Sequence, residues 1–430
     1  MTVTLDGTSV TIPDVVHVSR QYEHAALGQE AREKVAKCRQ TLDELVTRKI
    51  IYGINTGFGA LSNVTISPND LESLQLNLIR SHAAGVGPPL PTDVTRAMML
   101  LRANTLAKGF SGIRLSTLET LVAMLNSRVH PIIPERGSVG ASGDLAPLAH
   151  LAMVLVGEGS AEYLGQRMSA LEALKAASIA PVRLGAKEGV ALINGTQMMT
   201  AIGALMVHDA GKLVEQAEIS GALSFDVLQG LAEAFDRRLH EARPHPGQMT
   251  SAEHMTRLLQ GSKLVASGEE RVRRILHRQD PYTLRCIPQV MGAARDAVEY
   301  ASKAIEVELN SASDNPLIFP EDQAVLSGGN FHGQPIAIVL DLLAIVMATI
   351  GNFVERRITR LLDPKLNLGL PPFLAPSSEK AGLNSGLMTA QYSAAALASE
   401  NKVLAHPASV DSIPTSADFE DFVSMGPAAA

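Results

Sequence analysis

The sequence contains no tryptophan, and all aromatic residues together make up only 4% of its 430 residues. Apolar residues still account for 46% of the chain, so the core must be built from Leu, Ala, Val, Ile and Met. This mixture favours packed helices over β-sandwiches. The length is enough for two or three average domains, at ~100–200 residues each.

Several classes of site and partner are excluded by what is missing. Cys38 and Cys286 are the only cysteines, so there is neither a disulfide framework nor a CxxC metal pair, and HExxH is also absent. We therefore expect no metal. The net charge of −7 argues against a nucleic-acid partner, which would require a basic face. The N-terminus lacks a basic cluster followed by an apolar stretch, so we expect no signal peptide and a cytoplasmic location.

The most membrane-like segment covers residues 336–353, IAIVLDLLAIVMATIGNF. Asp341 interrupts it, and the charged residues Glu355, Arg356 and Arg357 follow. A spanning helix needs ~20 largely apolar residues. We therefore expect a helix buried among other helices, and no membrane partner.

Helical periodicity dominates the chain, which predicts a mainly α fold. The opening VTL, Asp6-Gly7 and SVTI predicts a short hairpin, and Ser116 with Glu119 predicts a capping box. Helices are predicted over the ranges 71–84, 92–108, 197–223, 287–309, 335–362 and 382–405. We expect a globular, loop-rich N-terminal region at 1–195 and a helix-bundle region at 196–430, joined as one continuous structural unit.

Three loops are dense in glycine and small polar residues: 52–63, 137–144 and 327–335. None fits a P-loop, a dinucleotide-binding fingerprint or the GxSxG serine elbow. Tight turns between packed helices, in which glycine supplies a positive φ, remain the alternative interpretation for each loop taken alone.

The loop GSVGASGD at 137–144 allows a reaction within its own backbone. The Gly143 nitrogen has no neighbouring Cβ to block it and can attack the Ala141 carbonyl, and loss of water closes a five-membered ring. Ser142 then loses its hydroxyl as a second water and leaves an exocyclic methylene. The product, a 4-methylidene-imidazol-5-one, is an electrophile that needs no external cofactor.

At this motif the sequence resembles the aromatic amino-acid ammonia-lyases. The resemblance runs over almost the whole chain, from VTLDG to VSMG at 423–426. The matching blocks include YGINTGFG, SHAAGVG, GASGDLAPLAHL, EGVALINGTQ, QDPYTLRCIPQV, NSASDNPLIF, SGGNFHGQP and ENKVLAHPASVDSIPTSA. It implies a mostly helical fold with a long central bundle, the self-formed methylidene-imidazolone as prosthetic group, and a homotetramer in which three subunits assemble each active site.

The resemblance also implies roles for individual residues. The substrate amine adds to the methylene derived from Ser142, and Tyr52 removes the β-proton. Arg285 clamps the substrate carboxylate, while Tyr282 orients the electrophile or the amine. The remaining matched positions are Gln279 as a hydrogen-bond donor, Asn194 near the carboxylate and the prosthetic group, Phe331 beside the electrophile, and Asp144 in support of ring closure, with a helix N-cap as an equally good interpretation.

Two positions bear on the choice of substrate. Ser81-His82 stands where relatives acting on phenylalanine or tyrosine carry an aromatic residue or His followed by Leu. His82 can hydrogen-bond an imidazole, and Glu420 can pair with an imidazolium or act on the proton. Together they favour elimination of ammonia from L-histidine to give trans-urocanate, with the choice of base between Tyr52 and Glu420 left open.

The sequence departs from the family pattern near its end. Asp418, Phe419 and Phe422 stand where the usual pattern, ANQEDHVSMG, has Asn, Gln and His, and the family pattern continues beyond the last residue of this chain with a further helical segment. A lyase or aminomutase acting on Tyr, Phe or a modified histidine therefore stays open as an alternative, as does a catalytically dead helical scaffold.

Overall fold

The computed structural model describes residues 2–51, 53–57, 63–265 and 279–430. By its internal contacts the chain divides into two compact units. The first consists of Met1–His208, Ser302–Leu340 and Pro407–Ala430, and the second of Asp209–Ala301 and Asp341–His406. The mainly α fold is confirmed. The division predicted from sequence, at 195/196, follows chain order and stays a prediction.

The first unit opens with eight helices. Their bounds are α1 Ile12–Arg20, α2 Gln29–Val46, α3 Leu71–His82, α4 Thr92–Ala107, α5 Leu115–Asn126, α6 Leu145–Leu155, α7 Ala170–Ala176 and α8 Glu188–Ile193. α4 is buried from Val94 to Ala107 and packs against α1 and α5. α3, α6 and α8 pack against one another, and this trio brings together three of the predicted site positions.

Nine short strands accompany these helices in the first unit. They are β1 Thr2–Leu5, β2 His24–Leu27, β3 Val86–Pro89, β4 Val129–Pro131, β5 Pro134–Arg136, β6 Ser160–Tyr163, β7 Gln166–Ser169, β8 Leu317–Phe319 and β9 Ala324–Leu326. β1 pairs with β2 in parallel, whereas β3 with β5, β4 with β6, β6 with β7 and β8 with β9 are antiparallel.

The predicted N-terminal hairpin is wrong. β1 pairs with β2 instead, and the second half of the predicted hairpin leads into α1. The Asp6 carboxylate accepts the N–H groups of Thr8 and Ser9 at 2.7 and 2.9 Å, and Thr11 forms a capping box with Asp14. These local side-chain bonds favour a turn and a helix start over a second strand. The Ser116 capping box is also wrong, because α5 begins at Leu115 and the Glu119 carboxylate pairs with Arg32.

The remaining helices include three long ones. Their bounds are α9 Gln197–Val227, α10 Arg237–Glu241, α11 Pro246–Leu258, α12 Tyr282–Arg285, α13 Ile287–Leu309, α14 Gln334–Leu362, α15 Met388–Leu404 and α16 Gly426–Ala429. In the second unit, α9, α11, α13 and α14 contribute Val214, Met255, Met291 and Ile350 to one apolar core. Phe225 and Phe235 pack in the same core with their ring centroids 4.8 Å apart.

α14 is the one helix of the described ranges that is long and apolar enough to cross a membrane. In its most apolar 18-residue window, 44% of the residues are buried inside the protein. Asp341, Glu355 and Arg357 on this helix are also buried. A single helix of this kind is weak evidence for a span, because core helices pass the same test.

Candidate functional site

A cavity of about 1000 Å³ in the first unit is the candidate site. Its walls come from segments that are far apart in the sequence. The predicted site residues that line it are His82, Ala141, Ser142, Asn194, Phe331 and Glu420. Within the trio described above, His82 ends α3, Asp144 immediately precedes α6 and Asn194 immediately follows α8. The packing of these helices therefore places His82, Ser142 and Asn194 around one space.

The 137–144 loop is held against Gly195 in a conformation that depends on glycine. Gly143 has φ +79° and forms a parallel bridge with Gly195, and Asp144 N donates to Gly195 O at 2.6 Å. A Cβ on Gly143 would lie 2.2 Å from Gly195 O. Ser142, the residue before Gly143, also has a positive φ, +52°. Any larger residue at Gly143 would therefore push the backbone segments at Gly143 and Gly195 apart.

The C-terminal segment supports the same loop from another side. Met425 N donates to Val139 O at 3.0 Å. A Cβ on Gly140 would lie 2.2 Å from Ser424 Oγ, so this glycine allows the close approach. Within the loop itself, Ser138 Oγ donates to Gly143 O at 3.2 Å. Ser138 and Ser424 could not be predicted from the sequence, because single serines in loops carry no signal of their own.

Asp144 is completely buried and acts on a different helix from the one it precedes. Its Oδ2 accepts the N–H groups of Met198 and Met199, at 2.8 and 3.1 Å, in the first turn of α9. It makes no side-chain cap on α6. Burial raises the pKa of this carboxyl from 3.8 to about 7, against the lowering effect of the two N–H groups, and the Glu308 charge raises it further. The N-cap prediction for α6 is therefore wrong, and the Asp144 carboxylate instead accepts hydrogen bonds from the first turn of α9.

Asn194 connects the end of α8 to the glycine-rich loop. Its Nδ2 donates to Ser142 O at 3.0 Å. Asn194 is buried, and its Oδ1 is a buried acceptor without a hydrogen-bond partner in the described ranges. A donor fixed on the Ser142 carbonyl withdraws electrons from that residue.

Glu420 faces Ser142 and is held by two hydroxyl groups. Ser142 Oγ donates to Oε1 at 3.3 Å, whereas Thr415 Oγ1 and Ser416 Oγ donate to Oε2 at 2.7 and 2.8 Å. Thr415 and Glu420 also form an antiparallel bridge. The carboxylate is thus oriented by its own loop, through two residues that the sequence analysis did not identify.

The residues that depart from the family pattern lie next to Glu420. The side chains of Phe419 and Phe422 line the cavity and are each 59% exposed. The Phe422 ring stacks on His332, with centroids 6.0 Å apart and planes 9° from parallel. Phe419 and Phe422 therefore add an aromatic surface to the cavity wall that carries the Glu420 carboxylate.

The hydrogen bonds of His82 identify its tautomer. Nδ1 lies 2.8 Å from Leu78 O and 3.0 Å from Ser81 Oγ, and Ser81 Oγ donates to Leu78 O at 2.9 Å. A carbonyl oxygen can only accept, so Nδ1 carries the proton. In the neutral ring Nε2 is then a hydrogen-bond acceptor, which is the form that can receive an N–H group.

Three predicted residues belong to the second unit and do not line this cavity. Tyr282 and Arg285 are the first and last residues of α12, and Gln279 lies three residues before its start. The Tyr282 side chain is 69% exposed, and the Arg285 guanidinium lies 4.8 Å from its ring centroid. The predicted base Tyr52 lies outside the described residues.

No group of three or more His, Cys, Asp and Glu side chains is arranged to hold a metal ion in the described part of the chain. The Glu420 carboxylate and the Asn194 amide both contact Ser142, and His82 lines the same cavity.

Comparisons with known proteins show which family the chain belongs to. A model of the aromatic amino acid lyase family matches residues 10–430. The histidine ammonia-lyase of Alkaliphilus oremlandii is 57% identical over 428 residues, which cover 99% of this chain and 82% of that protein.

Two solved structures share the fold over the whole chain. Tyrosine aminomutase from Streptomyces globisporus has a TM-score of 0.96 at 40% identity, with 83% of its chain covered. Histidine ammonia-lyase from Trypanosoma cruzi has a TM-score of 0.90 at 43% identity, with 80% covered. The chain therefore belongs to the aromatic amino acid lyase family.

Proposed function

We propose that this chain eliminates ammonia from L-histidine to give trans-urocanate. The observation that carries the proposal is the placement of His82 and Glu420 in the wall of the cavity that contains Ser142. The 57% identity to a histidine ammonia-lyase over 99% of the chain supports it.

The proposed prosthetic group is the methylidene-imidazolone formed from Ala141, Ser142 and Gly143. The loop fits this reaction because a side chain at Gly143 is excluded by Gly195 O, and because Ser142 has an unusual positive φ. Asn194 Nδ2 donates to the Ser142 carbonyl, which becomes the carbonyl of the ring. Once formed, the group supplies an electrophilic alkene to capture the substrate amine.

His82 and Glu420 explain the preference for an imidazole. His82 Nε2 accepts in the tautomer deduced above, and the Glu420 carboxylate only accepts. An imidazolium offers an N–H donor to each of them. A phenyl ring offers none and would leave His82 Nε2 and Glu420 Oε1 without that donor, at a cost of about 1–3 kcal/mol per group. A positive ring also stabilises the negative charge that develops on the neighbouring Cβ when its proton leaves.

The remaining roles complete the proposal. Tyr52 or Glu420 takes the β-proton, Arg285 binds the substrate carboxylate, and Tyr282 and Gln279 orient the reacting groups. Phe331 packs beside the electrophile, and Asp144 fixes the loop that forms it through Met198 and Met199.

We further propose a homotetramer with shared active sites, in which other copies of the chain supply residues to each cavity. Apolar side chains of the second unit support this assembly. Tyr392, Leu397, Val403 and Leu404 on α15 are between 60% and 74% exposed, and apolar surface of this kind marks association sites. A cytoplasmic location is proposed because Cys38 and Cys286 are both free.

The alternative function is that of a sibling lyase or aminomutase acting on tyrosine, phenylalanine or a modified histidine. Its support is the TM-score of 0.96 to a tyrosine aminomutase and the aromatic wall formed by Phe419 and Phe422. A scaffold without activity is the second alternative.

A substrate panel with intact-protein mass spectrometry tests these functions. Purified protein is mixed separately with L-histidine, L-tyrosine and L-phenylalanine, and the conjugated product is followed by its ultraviolet absorbance. We expect product from histidine, and a protein mass lower than the sequence mass by two waters. Ser142→Ala should abolish both, whereas Ser116→Ala on α5 should change neither.

The possible results separate the hypotheses. Product from tyrosine or phenylalanine alone would overturn the histidine assignment and favour a sibling enzyme. If the wild-type protein has an unmodified mass and forms no product from any of the three amino acids, the inactive scaffold is the hypothesis that remains.

A further inference from the structure

Arg102 on α4 is a buried cation behind the candidate site. It is 0% exposed. Nη1 donates to Asn194 O and to Gln197 Oε1, each at 2.7 Å. Nε and Nη2 are buried without a hydrogen-bond partner in the described ranges. Burial lowers the pKa of this guanidinium to about 10, and the Asp314 charge acts in the opposite direction.

A second arginine on the same helix provides a comparison. Arg96 is 1% exposed, and burial also lowers its pKa to about 10. All three of its nitrogens are bonded, to Val18 O, Ser19 O, Leu125 O and His130. Arg96 thus connects α4 to α1 and α5 as a satisfied structural residue.

Arg102 is bonded much less completely. Leaving a buried donor unpaired costs about 1–3 kcal/mol, so a cation used only for stability would be expected to satisfy more of its N–H groups. Buried polar groups that are left without hydrogen-bond partners occur mostly at functional sites. Both bonds that Arg102 makes go to residues at the junction between α8 and α9.

That junction carries the contacts to the glycine-rich loop. Asn194 accepts from Arg102 through its backbone carbonyl and donates to Ser142 O through its side chain. The next residue, Gly195, accepts from Asp144 N. A Cβ on Gly195 would lie 2.5 Å from Arg102 Nη1, so the guanidinium is packed directly against this backbone.

We propose that Arg102 is a positioning residue for the lyase reaction, which fixes the Asn194 amide against the Ser142 carbonyl. It acts through Asn194 and touches neither the substrate nor the reacting atoms. This inference rests on the proposed function, because it assigns the Ser142 carbonyl to the electrophile.

The test compares Arg102→Lys with Arg96→Lys, its matched control on the same helix. Each variant replaces a buried guanidinium, which has several N–H donors, with a single ammonium group. Intact-protein mass gives the fraction of matured chains, and kcat and KM for L-histidine are expressed per matured site. The absorbance band of the prosthetic group is recorded, because a donor on its carbonyl shifts that band.

We expect both variants to lose thermal stability, but only Arg102→Lys to change the chemistry. Its kcat per matured site should fall about tenfold or more relative to Arg96→Lys, since small displacements of catalytic groups are costly. KM should stay similar in the two variants, and the absorbance band should move in Arg102→Lys alone. Equal kcat and an unshifted band in both variants would overturn the inference.

A second variant covers the case in which Arg102→Lys does not fold. Gln197→Met leaves the arginine in place but removes the amide oxygen that holds Nη1, and kcat per matured site should fall here too. An unchanged kcat would count against the inference. Wild-type protein that turns over no amino acid would instead refute the proposed function, so the two failures are distinguishable.

Discussion

At the scale of single residues, the proposed choice of substrate depends most on Glu420. Thr415 and Ser416 orient its carboxylate towards Ser142. Both hydroxyl groups can donate or accept, so they can hold an amide at this position as well as a carboxylate. The charge can therefore be removed without removing the local structure.

We predict that Glu420→Gln lowers kcat/KM for L-histidine about 10- to 150-fold, the equivalent of losing about 1.5–3 kcal/mol for a hydrogen bond to a charged group. The melting temperature should change little. Steady-state kinetics and calorimetry measure the two effects. Asp411→Asn, at an exposed carboxylate of the same segment, is the control, and an equal loss of activity in both variants would contradict the role given to Glu420.

Asp144 predicts a pH dependence of stability. Its pKa is raised from 3.8 to about 7 in the folded chain, so between about pH 4 and pH 7 the folded state binds a proton that the unfolded state does not. The stabilisation by this group is therefore complete below about pH 4 and is lost as the pH rises towards 7. The Asp144→Asn variant is neutral at this position at every pH, so its stability should lack this part of the pH dependence.

Melting temperatures between pH 4.5 and 7.5 test this sign. Wild-type protein should lose stability relative to Asp144→Asn as the pH rises. Asp236→Asn is the control, because hydrogen bonding from Arg238 lowers the Asp236 pKa to about 2, and its contribution is lost only below this range. Parallel curves for the wild-type protein and Asp144→Asn would refute the assignment.

The cyclisation of the 137–144 loop could be predicted from its residue types, whereas the roles of Asn194, His82 and Glu420 came from the family resemblance. The structure places these three residues and Ser142 in the lining of one cavity. Thr415, Ser138 and Arg102 could not be predicted, because their roles depend on which backbone atoms meet after folding. A serine or arginine without a spacing pattern gives no signal of this kind.

At the scale of secondary-structure elements, the long helices were predicted most accurately. α13 was predicted at its observed bounds, and α14 within one residue, because long apolar periodicity is a strong signal. The N-terminal strands were not predicted correctly, because β1 pairs with a strand some twenty residues further along the chain. Alternating apolar residues predict a strand but do not identify its partner.

α9 contains two glycines that allow a matched test of helix packing. A Cβ on Gly211 would meet nothing within 4 Å, whereas one on Gly203 would lie 3.0 Å from Ile305 Cδ1 and 3.3 Å from Leu340 Cδ2. Alanine is favoured over glycine in a helix by about 0.8–1.0 kcal/mol. We predict that Gly211→Ala raises the free energy of unfolding by about this amount, and that Gly203→Ala gains less.

Denaturant unfolding of the two variants measures the difference. Because both sites lie in one helix, propensity is the same and only the surroundings differ. An equal or larger gain for Gly203→Ala would mean that Ile305 and Leu340 move aside without cost, contrary to the prediction.

At the scale of the whole molecule, the compact units do not follow chain order. Residues 302–340 and 407–430 belong with the N-terminal residues, and the intervening segments form the second unit. Such an interleaved division has no signal in the sequence, because it depends on contacts between segments that are far apart in the chain. The composition did predict the helical class, since it lacks the aromatic and β-branched excess typical of sandwiches.

The proposed assembly predicts a mass in solution of four chains. Leu397→Glu on α15, at a side chain that is 61% exposed, should weaken association, because a charge buried in an interface without a partner is costly. Leu171→Glu on α7, at a side chain that is 55% exposed, is the control. Light scattering after size exclusion measures both, and a wild-type monomer would refute the assembly.

One consequence concerns when the ring can form during translation. It follows from the contacts of Val139 and Gly140 with Met425 and Ser424. The tripeptide next to them, Ala141-Ser142-Gly143, is translated nearly three hundred codons before these supports. A nascent chain cannot brace the loop from that side until residue 425 has been made. The proposed alkene should therefore arise only after residue 425 has been made, which would keep an unguarded electrophile away from cellular amines and thiols while the polypeptide is incomplete.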